Sequence, residues 1–267
     1  MYDRNDRGNR RAQRSEAQQP AEETEGQLEG RNAIAEALKS GRTIDKLFIA
    51  SGDTDKSLQR LAAQAKEAGA VIVPVDRRKL DAMSFTRSHQ GVIALAAAHE
   101  YYSTDDILEE AASRGEAPLI VICDELSDPH NLGAILRSAE CAGAHGVIIP
   151  KRRSVGLTAT VAKASAGAME YMKVARVSNI NAAMQELKDK GVWIFGTAAE
   201  GAIPMYKADL KGPAAIVIGN EGVGMSQLVR KNCDVIVSIP MAGRISSLNA
   251  SAAASILLYE AVRQRLG

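Results

Sequence analysis

The stretch Leu119-Ile-Val-Ile-Cys123 is an unbroken apolar run, and the rest of the chain can be interpreted outward from it. Such a run is expected of a strand that is buried on both faces, as in a parallel sheet covered by helices. The polar segment Ser127-Asp-Pro-His-Asn131 follows it, and a helical pattern then extends from Asn131 to Ala142. These residues therefore predict a strand, a loop and a helix in that order.

The same arrangement recurs towards the C-terminus. Apolar runs at 146–149, 192–195, 214–218 and 235–239 predict four more strands, and helical patterns lie at 158–172, 180–190, 226–231 and 248–265. Strands that alternate with helices are typical of a parallel sheet. We therefore predict an α/β domain at 117–267, with a mostly parallel sheet and helices on both faces.

A smaller α/β module is predicted for residues 28–99. Apolar spacing indicates helices at 31–38 and 58–69 and strands at 46–50, 70–75 and 91–97. Residues 100–116 are mostly polar, with one helical piece at 104–112, and we expect them to link the two domains. Residues 1–27 hold almost no large apolar side chains, so we expect a disordered tail there.

Charge and cysteine content limit the possible partners. The formal net charge of the 267 residues is only +1, so RNA binding would depend on local basic groups such as Arg77-Arg78-Lys79 and Lys151-Arg152-Arg153. Each of these triplets could equally be a solvated surface. The three cysteines form no CxxC pair and the four histidines are scattered, so we expect no metal site and free thiols in a reducing cytoplasm. No apolar run approaches the roughly 18 residues of a membrane span.

The predicted strand ends carry the candidate chemistry, because ligands of parallel sheets collect at the carboxyl ends of the strands. Gly, Asn, Ser, Thr and Glu are common in the segments that follow the strands, at 127–138, 196–201, 219–226 and 240–249. Gly222-Val-Gly224-Met-Ser-Gln227 fails as a dinucleotide fingerprint, and neither a phosphate-binding P-loop nor a GxSxG elbow occurs. Backbone amides and neutral polar groups remain, and these suit an adenosine-bearing cofactor without phosphates.

Three of these segments resemble the three motifs of the SpoU/TrmH family of RNA ribose methyltransferases, within the SPOUT superfamily. The matching residues are Asn131-x-Gly133-x-x-x-Arg137, then Ile218-Gly219-Asn-Glu221-Gly222-x-Gly224, then Ile239-Pro240-Met-x-Gly243-x-x-Ser246-Ser247-Leu248-Asn249-x-Ser251. The smaller module, with its Arg31-Asn-Ala helix and its His89-Gln90-Gly91-Val92 turn, resembles the ribosomal-protein-like RNA-binding domain of bacterial 23S rRNA guanosine-2′-O-methyltransferases.

The resemblance implies a function and an assembly. It implies methylation of a ribose 2′-hydroxyl in RNA with S-adenosylmethionine as the cofactor, and a guanosine of 23S rRNA as the target. It also implies a C-terminal trefoil knot and a homodimer whose active sites lie near the subunit interface. The alternatives are a tRNA 2′-O-methyltransferase of the same superfamily and a non-catalytic RNA-binding protein of ribosome assembly.

The same resemblance assigns roles to individual residues. It places Thr197, Gly219, Ile239 and Leu248 around the cofactor's adenine, and Ser247 near its methionine portion. It makes Arg137, Asn131, Glu221 and Asn249 the catalytic set.

Each of these residues also has a plain structural alternative. Asn131, Ser247 and Asn249 could simply cap helices. Glu221 could be a solvated loop acid and Arg137 a surface arginine. Because arginine stays protonated, we expect Arg137 to orient the ribose or stabilise negative charge rather than to accept a proton.

Overall fold

The computed structural model describes residues 26–52, 55–96, 99–199, 202–220 and 222–267. The expected disordered tail lies outside these ranges up to residue 25, and Gln27 already begins the first strand. Of the predicted site residues, Glu221 also lies outside the described residues.

The first module is a four-stranded sheet with three helices. Its elements are β1 (Gln27–Glu29), α1 (Arg31–Lys39), β2 (Ile44–Ala50), α2 (Lys56–Glu67), β3 (Val71–Val75), α3 (Arg77–Met83) and β4 (Val92–Ala96). The strand order is β1-β4-β2-β3, with β2 and β3 parallel and the other pairs antiparallel. The basic triplet at 77–79 opens α3, which sequence analysis did not predict, and the Asp76 side chain caps that helix at Arg78 N.

Glu29 is the polar centre of this module. Its buried carboxylate accepts hydrogen bonds from Ser84 Oγ at 2.7 Å and Phe85 N at 2.8 Å, and also from Thr86. Burial alone would raise the pKa of Glu29, but hydrogen bonds from Thr86, Ser84, Phe85 and Gln27 outweigh it and hold the pKa below its ordinary value. The carboxylate is therefore charged and fixes the loop between α3 and β4.

The polar connection contains a helix that packs on the second sheet. Helix α4 (Thr104–Arg114) begins with a capping box between Ser103 and Asp106 and ends at Gly115 in the left-handed conformation. Its Ile107 is fully buried. A Cβ on Gly146 would lie 2.5 Å from Ile107 Cδ1, so glycine is needed for this approach.

The second sheet has seven parallel strands. Its elements after α4 are β5 (Leu119–Cys123), α5 (Pro129–Cys141), β6 (Gly146–Pro150), α6 (Ala159–Ala164), β7 (Val174–Val177), α7 (Ile180–Asp189), β8 (Trp193–Thr197), β9 (Ile203–Pro204), β10 (Ala214–Ile218), α8 (Gln227–Asn232), β11 (Val235–Ser238) and α9 (Ala250–Leu266). The strand order is β7-β6-β5-β10-β8-β11-β9. Every pair in it is parallel, so the prediction of a mostly parallel sheet is confirmed.

Helices cover both faces of this sheet, as predicted. Along β5, Leu119, Val121 and Cys123 belong to the core shared with α5, α6 and α9. The alternate residues Ile120 and Ile122 belong to the core shared with α4, α7 and α8. Alternation along a strand that is apolar on both faces explains the unbroken run from which the fold was predicted.

The predicted helix at 158–172 is wrong in its second half. Helix α6 ends at Ala164, Ala166 and Gly167 adopt positive φ angles of 51° and 97°, and only a short 3-10 turn follows. A Cβ on Gly167 would lie 2.3 Å from Glu36 Cγ of α1. The chain turns here because the first module packs against this position.

The two modules share one interface. Arg42 Nη1 and Glu170 Oε1 form an ion pair at 2.8 Å with both side chains largely buried. Lys163 of α6 donates to Thr86 Oγ1 at 2.9 Å and to the Ser88 carbonyl at 2.8 Å. Helix α6 also packs along α5, so it connects the first module to the helix that begins the first motif.

Candidate functional site

The three motifs meet at one edge of the second sheet. The neighbouring strands β5, β10, β8 and β11 are parallel, so their carboxyl ends lie side by side. Asn131 lies in the first turn of α5 after β5, Thr197 ends β8, Gly219 follows β10, and Ile239 follows β11. Segments separated by about a hundred residues in the sequence therefore converge here, as the strand-end argument predicted.

Asn131 and Asn249 join the first motif to the third directly. Asn249 Oδ1 accepts hydrogen bonds from Ser251 N at 3.0 Å and Ala252 N at 3.2 Å, so it caps α9. Its Nδ2 then donates to Asn131 Oδ1 at 2.8 Å, and Asn131 Nδ2 donates to Asp128 Oδ2 at 3.2 Å. Capping orients the Asn249 amide, and the bonds to Asn249 and Asp128 orient the Asn131 amide. Capping and a role in the site are therefore compatible at Asn249.

Asp128, rather than Asn131, caps α5. Its side chain accepts from His130 N at 2.8 Å. The Asn131 side chain is buried, and its amide bonds Asn249 and Asp128 instead of capping α5.

The second motif forms a tight loop that only glycine permits. Asn220 and Gly224 exchange backbone hydrogen bonds at 3.1 and 2.9 Å. A Cβ on Gly219 would lie 2.3 Å from both Gly224 C and Met225 N, so a side chain at 219 would displace the loop. The loop's own backbone therefore requires glycine at 219, and the predicted contact of Gly219 with the cofactor stays a prediction.

Two side chains that sequence analysis missed hold this loop in place. Asn220 Nδ2 donates to the Glu125 carbonyl at 3.0 Å, and Asp124 Oδ2 accepts from Ser226 N at 2.7 Å. Both contacts tie the loop after β10 to the residues after β5. Asp124 directly follows the apolar run of β5, so an acid at this strand end was the signal in the sequence that could have identified it. The structure shows that its side chain is buried.

Thr197 and Gly196 shape the end of β8. Thr197 Oγ1 donates to the Val217 carbonyl at 2.9 Å, which links β8 to β10 at their carboxyl ends. A Cβ on Gly196 would lie 2.5 Å from Cys233 Sγ. Burial raises the pKa of the Cys233 thiol to about 12, so this sulfur stays protonated and has no nucleophilic role.

The third motif is an exposed loop. Every residue from 241 to 248 is exposed, including Ser247 and Leu248, and none of their backbone groups bonds another part of the described chain. Ile239 is half-buried at its start. This loop follows β11, which neighbours β8 in the sheet, and its exposed backbone N–H and C=O groups are accessible to a ligand.

Arg137 is not brought to this cluster within one chain. It lies six residues beyond Asn131 on α5, which is about 9 Å along the helix axis. Its side chain is exposed and makes no hydrogen bond or ion pair with the described residues. Within one chain, the strand ends bring Thr197, Gly219 and Ile239 to the edge where Asn131 bonds Asn249, whereas Arg137 lies farther along α5 with an exposed side chain.

The described ranges contain neither a candidate metal-binding cluster nor a candidate membrane-spanning helix. No group of three or more His, Cys, Asp or Glu residues among them could hold a metal ion. None of the helices described is long and apolar enough to cross a membrane. The fold and the site together define an α/β protein whose candidate ligand edge combines exposed backbone and neutral amides with the supporting acids Asp124 and Asp128.

Comparison with known proteins identifies the family. Residues 118–259 match the SpoU rRNA methylase family, and residues 27–102 match the family described as RNA 2′-O ribose methyltransferase substrate binding. YacO of Bacillus subtilis, whose name assigns it to the TrmH family of tRNA/rRNA methyltransferases, is 48% identical over 236 residues, which cover 88% of this chain and 94% of YacO. The chain therefore belongs to the SpoU/TrmH family of methyltransferases.

Solved structures agree with this assignment. AviRb from Streptomyces viridochromogenes, a SpoU methyltransferase in complex with the cofactor AdoMet, has a TM-score of 0.79 and 28% identity, covering 90% of each chain. An AdoMet-bound rRNA methyltransferase from Sinorhizobium meliloti has a TM-score of 0.75 and 25% identity, covering 90% of this chain and 88% of that one. Both similarities span the two modules.

Proposed function

We propose that this protein transfers a methyl group from S-adenosylmethionine to a ribose 2′-hydroxyl of RNA. The observation that carries the proposal is the convergence of the three motifs on one sheet edge, where Asn249 bridges to Asn131 beside the loop at 241–248. The family match of the first module to 2′-O-ribose substrate binding supports the ribose hydroxyl as the acceptor.

The residues at this edge fit the cofactor. The tight glycine loop at Gly219 and the exposed backbone of 241–248 suit an adenosine. Thr197, Gly219, Ile239 and Leu248 would hold the adenine side, and Ser247 the methionine side. When bound, the cofactor supplies an electrophilic methyl group.

The chain's own residues must position the acceptor. A ribose hydroxyl is a weak nucleophile, so its orientation and the stabilisation of its developing charge decide the rate. No described residue forms a hydrogen bond or ion pair with the Arg137 guanidinium, which can contact a phosphate or the ribose oxygen with two hydrogen bonds. Asn131, held by Asn249 and Asp128, offers a fixed amide at the site, and Glu221 of the second motif remains a predicted member of this set.

We further propose a homodimer in which a second copy brings Arg137 to the site. Two observations support this arrangement. Arg137 is separated from Asn249 within one chain, and the surface around the third motif carries exposed apolar side chains. Ile245 is 75% exposed and Tyr259 is 52% exposed, and Leu248 and Ile256 add to the same region. Large exposed apolar groups of this kind are typical of interfaces.

The C-terminal trefoil knot is also proposed. Its support is the strand order, in which the chain leaves β8, crosses to β10 on one side of it, and returns to β11 on the other. Cytoplasmic localisation is proposed from the RNA substrate alone.

We propose rRNA, with a guanosine of 23S rRNA, as the target. The rRNA description of the Sinorhizobium meliloti neighbour and of the matching family supports rRNA, while guanosine rests on the sequence resemblance of the first module. Mass spectrometry of rRNA and tRNA fragments from a deletion strain tests the target. A lost methyl group in 23S rRNA is the expected result, and a lost methyl group in tRNA would redirect the assignment.

Arg137→Ala tests the mechanism. We expect at least a hundredfold loss of methyl transfer with unchanged S-adenosylmethionine affinity, because removing one preorganised charged contact costs about 10²–10³ in rate. Mixing Arg137→Ala with an inactive cofactor-site variant should restore part of the activity in mixed dimers. Normal turnover by Arg137→Ala would exclude its catalytic role, and failure of the wild type to bind S-adenosylmethionine in calorimetry would favour the non-catalytic alternative.

A further inference from the structure

Arg176 lies on β7, the last strand at one edge of the second sheet, where Tyr102 N also donates to the Val174 carbonyl. Its guanidinium Cζ lies 5.2 Å from the centroid of the Tyr101 ring. Among the described residues the group makes one long hydrogen bond, from Nη2 to the Lys151 carbonyl at 3.5 Å, and its buried Nε has no partner. The guanidinium is therefore weakly satisfied within the described chain, and an external anion would reach it through its Nη groups rather than through the buried Nε.

The surroundings of Arg176 are built rather than accidental. Tyr101 Oη accepts a hydrogen bond from Leu157 N at 3.0 Å, which fixes the ring under the guanidinium. A Cβ on Gly156 would lie 3.0 Å from Tyr101 Oη, which is tighter than an ordinary contact, and 3.8 Å from Arg176 Cζ, which is an ordinary contact. The loop after β6 therefore folds closely over this pair.

The charge at this corner is uncompensated. Lys151 and Arg152 directly follow β6, and both are exposed. Across the ranges that the structure describes, neither they nor Arg176 has a carboxylate partner. Arg153, in contrast, pairs with Glu125 at 2.8 Å.

A second cation–aromatic pair nearby shows what neutralisation looks like. Lys173 Nζ lies 5.4 Å from the centroid of the Tyr102 ring, and it also pairs with Glu110 Oε2 at 3.3 Å and donates to the Asp106 carbonyl. The same edge of the sheet thus holds one compensated and one uncompensated pair. Lys173 has a carboxylate partner and Arg176 has none among the described residues, so an anion from outside the chain can bind at the Arg176 corner.

The corner is linked to the methyl-transfer edge. Ser154 Oγ donates to the Leu126 carbonyl at 2.9 Å, and Asn220 Nδ2 donates to the carbonyl of Glu125, the residue that also pairs with Arg153. Val174 and Arg176 project from the same side of β7, and Val174 belongs to the core that also includes residues of the first module. The corner lies near the carboxyl ends of β6 and β7, on the same side of the parallel sheet as the predicted cofactor edge.

We propose that Arg176, with Lys151 and Arg152, binds a phosphate group of the RNA backbone. The guanidinium lies over the Tyr101 ring, and its planar Nη groups suit hydrogen bonds to phosphate oxygens. This site deepens the proposed function, because it names a backbone contact of the same RNA substrate away from the methyl acceptor.

The salt dependence of RNA binding tests the proposal. The full-length protein is titrated with transcribed, unmodified 23S rRNA across a range of KCl concentrations. Each lost phosphate contact should reduce the slope of log K against log salt by about 0.7 to 0.9. Arg176→Gln should show that reduction and raise KM for RNA at least fivefold, with kcat and S-adenosylmethionine affinity unchanged.

Matched variants separate binding from structural damage. Lys173→Gln removes the compensated cation and should leave the slope and KM unchanged. The double variant K151Q/R152Q changes only exposed side chains, so it should fold normally and lower the slope even if Arg176→Gln is unstable. Arg176→Lys keeps the charge and should recover part of the slope. An unchanged slope in K151Q/R152Q and in any folded Arg176→Gln would overturn the proposal.

The outcomes distinguish this site from the proposed function. If the wild type binds RNA with an Arg176-dependent slope and transfers no methyl group, the phosphate site stands and the enzymatic assignment fails. If methyl transfer is normal and the slope does not depend on Arg176, the site alone is wrong.

Discussion

The bridge between Asn249 and Asn131 makes a quantitative prediction about stability. In Asn249→Ala, α9 loses its N-cap, which costs about 1 kcal/mol with a range of about 0.5–2 kcal/mol. The variant also loses the 2.8 Å hydrogen bond to Asn131 Oδ1, worth about 0.5–1.5 kcal/mol. We therefore expect the free energy of unfolding, measured in urea, to fall by about 1–3 kcal/mol.

Two further variants separate the cap from the bridge. Asn179 caps α7 through bonds to Asn181 N and Ala182 N, so Asn179→Ala should cost the cap alone. Asn249→Asp keeps the capping oxygen but replaces the donor to Asn131 with a second acceptor. Turning the Asn131 amide would not rescue it, because its oxygen would then face Asp128.

The order of the measured losses decides the matter. We expect Asn249→Ala to be the least stable variant, because it alone loses both cap and bridge. Asn249→Asp should lose methyl transfer while it retains most of its stability. If Asn249→Ala costs no more than Asn179→Ala, the bridge contributes nothing and the reasoning is refuted.

Two other predictions concern the cofactor loop and the first module. In Gly219→Ala the new Cβ would overlap the backbone of Gly224, and such overpacking costs about 1–3 kcal/mol. We therefore expect S-adenosylmethionine binding, measured by calorimetry, to weaken by roughly 5- to 150-fold. The control Gly222→Ala should bind the cofactor normally, because its Cβ would meet only Asn220 Oδ1, at 3.5 Å. Glu29→Gln should lower the free energy of unfolding at neutral pH and make it less dependent on pH in acid. The depressed pKa of Glu29 stabilises the fold above the pKa of an unfolded glutamate, and this stabilisation is lost as the pH falls through the folded pKa. A Glu29→Gln protein with the same acid profile as the wild type would contradict this account.

Much of the second sheet could be predicted from the sequence. The runs at 119–123 and 214–218 match β5 and β10 residue for residue, because strands buried on both faces leave continuous apolar runs. The short edge strands β7 and β9 were missed. Val174-Ala-Arg-Val177 contains an arginine, and β9 has only two residues, so neither forms a recognisable apolar run.

The break in the helix at 158–172 could not be predicted either. Its apolar spacing is helical throughout, and the turn at Ala166 and Gly167 follows from Glu36, which lies about 130 residues earlier. Similarly, Asp124 and Asn220 act through contacts between loops of different strands. Local patterns indicate which segments are strands and helices, whereas such contacts depend on how the segments pack.

The placement of α6 limits how this protein could be retargeted. Lys163 bonds Thr86 of the first module, and Gly167 lies so close to Glu36 of that module that no side chain fits there. On its other side α6 packs tightly on α5, because a Cβ on Gly133 would lie only 2.4 Å from Ala164 Cβ. A chimera that received its RNA-recognition module from a relative would inherit a foreign surface at 36 and 86–88. It would then need a matching exchange of 159–171, so the natural unit of recombination is discontinuous in the sequence.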